Sequence, residues 1–184
     1  MKGNRAVLAA VVVIVLLVVG WWLFKRSSGG EPIDLVAAFP TAEKRPSADI
    51  FTTAPATLNG ETKQAIAIQP SVGTRITYKL KVPDDAWLRV AVGLKPEAWD
   101  KQGDGVLFRV LVSDGRTSDP LFSQHVNPFA SPGDRRWIPV YVDMSAYAGE
   151  DVQVIFLTNS SPAGQGENHE NDFALWGAPE IVIR

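Results

Sequence analysis

From residue 49 to the carboxyl end, the sequence runs in short apolar stretches, each closed by turn-forming residues. This cadence constrains the fold more than any other feature. A strand of about five to nine residues alternates its side chains between two faces, whereas a helix needs about ten or more residues at a 3.6-residue period. The candidate strands cover residues 49–53, 64–69, 75–81, 86–94, 106–113, 121–126, 137–142, 152–158, 173–176 and 180–183. Between them lie Leu58-Asn59-Gly60, Pro83-Asp84-Asp85, Gln102-Gly103-Asp104-Gly105, Ser113-Asp114-Gly115 and Ser131-Pro132-Gly133-Asp134. Many short strands with regular turns predict an all-β, antiparallel sandwich of the jelly-roll kind. The one helical turn expected in this region covers residues 143–149, capped by Asp143 or Ser145 and ended by Gly149.

Alternation assigns faces. Leu88, Val90, Val92 and Leu94 form a uniformly apolar set, as do Val106, Phe108, Val110 and Val112, and Ile138, Val140 and Val142. The opposite sets leave Trp87, Arg89, Arg109, Trp137 and Tyr141 pointing outward. Trp, Tyr and Arg are enriched where proteins bind one another, and Arg and aromatic faces also meet carboxylates and other ligands. These five residues are therefore the expected interaction face. The plainer alternative is that Trp87 and Trp137 are covered by loops of their own domain.

Ahead of this body lies a different object. Residues 6–24 are an uncharged run of 19, AVLAAVVVIVLLVVGWWLF. As a helix it spans roughly 28 Å, close to the thickness of a bilayer's hydrocarbon core. Trp21 and Trp22, followed by Lys25 and Arg26, suit a membrane interface. A cleaved signal peptide is the competing reading, but its apolar region is normally shorter and ends in small residues. The expected organisation is a tail at 1–5, a transmembrane anchor at 6–26, a linker or docking segment at 27–47 and a β-sandwich at 48–184. Residues 33–39 fit either an edge strand or a short helical turn. Basic residues flank both ends of the run, so orientation is nearly balanced. The expectation is an amino end inside a bacterial inner membrane and a body in the periplasm.

Three segments carry a family likeness. They are Gly103-Asp104-Gly105-Val106-Leu107-Phe108-Arg109-Val110, the run from Arg135-Arg136-Trp137 through Ala148-Gly149, and Trp176-Gly177-Ala178-Pro179-Glu180-Ile181. Together they resemble bacterial galactose-binding-like and NPCBM-like jelly-roll modules, a carbohydrate-binding group. The likeness is clearest over residues 84–184 and implies the fold more than the ligand.

The chain has no cysteine and only two histidines, His125 and His169. Thiolate metal sites, disulfides and a cysteine nucleophile are therefore excluded, as are multi-histidine centres. No nucleophile elbow, phosphate loop or zinc-protease motif is present. The first 26 residues hold four basic residues and no acid, while the remainder holds fourteen basic and all twenty acidic residues. An acidic body with scattered Lys and Arg does not suit nucleic acid. The acidic loop with Glu167, Glu170 and Asp172 is a candidate for a structural calcium ion, against the plainer reading of a solvated loop. The expected function is a non-catalytic accessory subunit that meets the lipid bilayer and braces a complex of integral membrane proteins. The alternative is a tethered carbohydrate-binding module for envelope glycans.

Overall fold

In a computed structural model, residues 31–69, 74–160 and 170–184 are described. The apolar run, Trp21, Trp22, Lys25, Arg26 and Glu167 lie outside these residues. Among the described residues there is no α-helix, and so none long and apolar enough to cross a membrane.

Eleven strands follow in chain order: β1 (Ile33–Asp34), β2 (Glu43–Arg45), β3 (Phe51–Leu58), β4 (Glu61–Ile68), β5 (Thr74–Lys81), β6 (Ala86–Leu94), β7 (Val106–Ser113), β8 (Ser118–Val126), β9 (Ile138–Asp143), β10 (Asp151–Asn159) and β11 (Ala174–Ile183). One sheet has the order β3-β4-β11-β6-β9, with β1 also paired to β11, and the other has the order β2-β5-β10-β7-β8. Every pairing is antiparallel. The two four-strand sets β4-β11-β6-β9 and β5-β10-β7-β8 are the interleaved halves of a jelly roll.

The inward sets read from alternation form the core, with Ile138 half-buried at its margin. Leu88, Val90, Val92, Leu94, Val106, Phe108, Val110, Val112, Val140 and Val142 are all buried. At its centre the Trp176 indole meets Phe108 edge-on at 5.0 Å and Phe156 at 4.8 Å, and Phe156 meets Tyr78 at 5.6 Å. Such edge-to-face pairs place positive ring edges on negative ring faces. The indole N–H of Trp176 donates to Thr158 Oγ1 at 3.0 Å, so burial leaves no donor unpaired there.

Turn chemistry joins the strands. Asn59 and Gly60 take φ values of 48° and 83°, the left-handed pair that a two-residue hairpin needs between β3 and β4. Asp114 Oδ1 accepts from the backbone N–H groups of Arg116 and Thr117, closing the β7–β8 turn and holding its carboxyl below the usual range. The expected helical turn is a 3-10 turn at Ser145–Tyr147, with Asp143 Oδ1 accepting from Ser145 N at 2.9 Å.

Residues 33–39 take neither expected form alone. Ile33–Asp34 joins β11, Asp34 Oδ1 then accepts from Val36 and Ala37 N–H, and a 3-10 turn at Phe39–Thr41 leads to β2 on the other sheet. The two expected strands at 173–176 and 180–183 are one strand, β11, bulged between Gly177 and Glu180. Gly-Ala-Pro reads as a separator in sequence, yet the register resumes on its far side. β8 begins earlier than its apolar pattern, at Ser118, because ladder bonds to β7 hold an exposed, Pro-containing edge.

Candidate functional site

The outer face of the first sheet carries a depression of about 510 Å³. Small residues in its floor make room for an indole ring. Gly177 and Ala91 are register partners on β11 and β6, and Leu175 pairs with Gly93 two residues along on the same face. Over this thin patch lies the Trp137 ring. A Cβ on Gly177 would stand 2.6 Å from Trp137 Cζ3, and one on Gly93 would stand 2.5 Å from Leu58 Cδ1. Trp137 is 4% exposed and packs in a second apolar cluster with Leu58, Ala65, Ala91 and Leu175. Its indole N–H donates to Glu61 O at 2.9 Å, tying the start of β9 to the β3–β4 hairpin.

Polar walls surround this floor. Arg89 on β6 is bound to Glu180 on β11, with Nε at 2.7 Å and Nη2 at 2.6 Å from the same Oε1. Lys63 is paired to Glu61 at 2.5 Å. Tyr141 is 56% exposed, one of two large hydrophobic side chains standing out among the described residues. Arg136, exposed, completes the rim. Ala178 lies at the β11 bulge with φ +43°, a left-handed conformation that costs an L-residue with a Cβ about 1–2 kcal/mol. Bulges and strained residues collect where a sheet surface is shaped for a task.

The five residues expected to share one face separate into four situations. Arg89 and Tyr141 line the depression. Trp137 borders it but is buried, so the plainer alternative of an indole covered by its own domain holds for this residue. Trp87 lies on the same sheet, paired with Asp143 and Val182, and the Arg184 guanidinium sits 4.4 Å from its ring centroid. Arg109 is not on this face at all. Its strand, β7, belongs to the other sheet, and its Nη2 donates to Asn159 Oδ1 on neighbouring β10 at 2.9 Å. Alternation separates inside from outside but does not say which sheet an outward residue decorates. Lys63, Glu180 and Gly177 were missed as site residues. Gly177 and Glu180 lay within a recognised segment, but only the bulge reveals that both border the depression.

Among the described residues no three or more carboxylates or histidines come together, and most of the acidic loop, residues 161–169, lies outside them. Glu170 is exposed and Glu167 lies outside the description. Asp172 is 2% exposed, and its Oδ2 has no hydrogen-bond partner. Burial, and secondarily the charge of Asp104, push its carboxyl up to about 8. His125 sits on β8 with Nε2 2.8 Å from Asp104 O, bracing the loop before β7.

No family model matches the chain. An uncharacterised protein of Archaeoglobus fulgidus is 36% identical over 104 residues, covering 56% of this chain and 25% of that protein. The chain thus spans about a quarter of the length of the curated relative it matches. Among solved structures, a CBM61 module in complex with β-1,4-galactotriose superposes with a TM-score of 0.50 at 10% identity, over 79% of this chain and 90% of that one. The CBM22-1–GH10 modules of Clostridium thermocellum endo-1,4-β-D-xylanase 10B, complexed with xylohexaose, also give 0.50 at 10% identity, over 86% and 29%. At such identities the likeness is one of fold.

Proposed function

We propose that the chain is a non-catalytic saccharide-binding module that takes its ligand in the depression on the outer face of the β3-β4-β11-β6-β9 sheet. The observation that carries this reading is Tyr141, an exposed aromatic ring lining the depression beside the Arg89–Glu180 pair. An aromatic face accepts the apolar side of a sugar ring, and fixed charged groups at the edge bind its hydroxyls. Support also comes from solved modules of this fold described with galactotriose and xylohexaose bound. Placement at a membrane belongs to the same proposal: the uncharged run at 6–24 tethers the module to a lipid bilayer, with the body on the extracytoplasmic side.

The test is a glycan array probed with the full chain in mild detergent, alongside Tyr141→Ala. Saccharide binding that disappears in the variant supports the proposal; saccharide binding that Tyr141→Ala leaves intact removes the depression from it. A second reading, an accessory subunit bracing a membrane complex, draws on the same exposed Tyr and Arg residues and on the apolar run. Native mass spectrometry of the detergent-solubilised chain from its own membranes tests that reading, and a monomer alone counts against it.

A further inference from the structure

The neighbouring arginines Arg135 and Arg136 have different tasks. Arg135 is a clamp. Its Nε donates to Pro128 O at 3.0 Å and its Nη2 to Trp99 O at 2.8 Å, and Nη2 lies 3.0 Å from Asp100 Oδ1. It thereby joins three loop segments and is committed to structure. Arg136 turns to the depression. Its Nε donates to Gly133 O at 3.1 Å, which fixes the guanidinium plane, and it forms no ion pair among the described residues. The nearest acid in sequence, Asp134, is already engaged, with Oδ2 accepting from Asn127 N at 2.9 Å.

The other charges of the depression are matched: Arg89 by Glu180 and Lys63 by Glu61. Three cations therefore face two carboxylates, and Arg136 is the one left over. This local excess stands on a body that is acidic as a whole. A guanidinium held by its Nε still presents its two terminal nitrogens, and that planar fork matches a carboxylate.

Resting on the proposed saccharide site, we propose that its ligand is a carboxylate-bearing saccharide, a uronate or similar acidic sugar. Tyr141 carries the ring and Arg136 takes the acid group. Glu61 and Glu180 stay on their own cations and do not repel it.

The experiment compares uronate-bearing oligosaccharides with their methyl-esterified, neutral counterparts, bound to the full chain in mild detergent at low salt. The acid form is expected to bind about tenfold more tightly, as one charge-assisted contact implies. That ratio should shrink as salt rises to about 0.3 M, because the contact is exposed. In Arg136→Gln the ratio should fall towards one, and Arg136→Lys should restore part of it. Arg116→Gln removes the same charge from the exposed β7–β8 turn, away from the depression, and should leave the ratio in place. Neutral and acid forms binding equally to the parent chain would overturn the carboxylate assignment while leaving the saccharide site standing. No saccharide binding of either form would overturn both. A ratio that falls equally in Arg116→Gln would reduce it to net charge and overturn the role of Arg136.

Discussion

Replacing Asp172 with Asn tests the electrostatic state of the buried loop end. The carboxyl is 2% exposed and is pushed from its ordinary value of 3.8 up to about 8 by burial, with Asp104 adding to it. Between these values the folded chain keeps a proton that the unfolded chain has released. Stability from this group is therefore fully present below about pH 4, declines as pH rises towards 8, and is lost above that. At about 1.4 kcal/mol per pH unit the ceiling is about 6 kcal/mol, and local loosening around a charged Asp172 reduces it to roughly 2–4 kcal/mol. An amide does not titrate. Asp172→Asn should therefore be near the parent in stability at about pH 4, or slightly below it for want of partners for its amide. By about pH 8.5 it should be more stable by roughly 2–4 kcal/mol. Urea unfolding followed by tryptophan fluorescence, in EDTA, at several pH values for both chains gives the difference directly. Titrating groups other than Asp104, which is coupled to Asp172, cancel in that difference. A gap that stays constant across the pH range would refute the reasoning. A parent chain that gains stability with calcium at high pH and loses it in EDTA would show a cation on Asp172 instead.

Other substitutions probe the packing around the depression. Gly177→Ala places a methyl group into the Trp137 ring and should cost about 1–3 kcal/mol by denaturant unfolding, with a shift in tryptophan emission as the ring lifts. Trp137→Ala removes the cover from Leu58, Ala65, Ala91 and Leu175 and should cost about 3–5 kcal/mol. Tyr141→Ala, at an exposed position, should change stability by no more than about 0.5 kcal/mol while removing saccharide binding. Trp176→Phe keeps most of the core volume but leaves Thr158 Oγ1 without its donor, and thermal unfolding should show a loss of about 1–3 kcal/mol.

The inward half of this fold was legible because β6 and β7 bury one whole face of β-branched and aromatic side chains, and period-two alternation has no competing interpretation there. The limits of those two strands were read correctly for the same reason. β3, β4 and β8 were read short. Their outer residues (Ala54, Pro55, Thr57, Thr62, Asp119, Pro120) are held by hairpin ladders rather than by burial, and hydropathy does not register ladder bonds. The depression was half legible. Arg89 and Tyr141 follow from alternation, but the floor depends on Gly177 meeting Ala91 across β11 and β6, a contact between residues far apart in the chain. Arg109 was misplaced because assignment to a sheet is a property of topology, not of local pattern. Arg136 stood in a recognised segment, yet only the contrast between its partners and those of Arg135 shows which arginine is left without an ion pair among the described residues.

The two-residue strand β1 has a mechanical consequence. Ile33 and Asp34 pair with Ile181 and Glu180 of β11, the strand that also supplies Gly177 and Glu180 to the depression. Tension applied to the chain at its amino-terminal side would load this short ladder first, and through it the strand that helps line the depression. That load would pass through a few hydrogen bonds at one sheet before it reached the aromatic interior. The joint would yield by unzipping β1 while the sandwich stays intact.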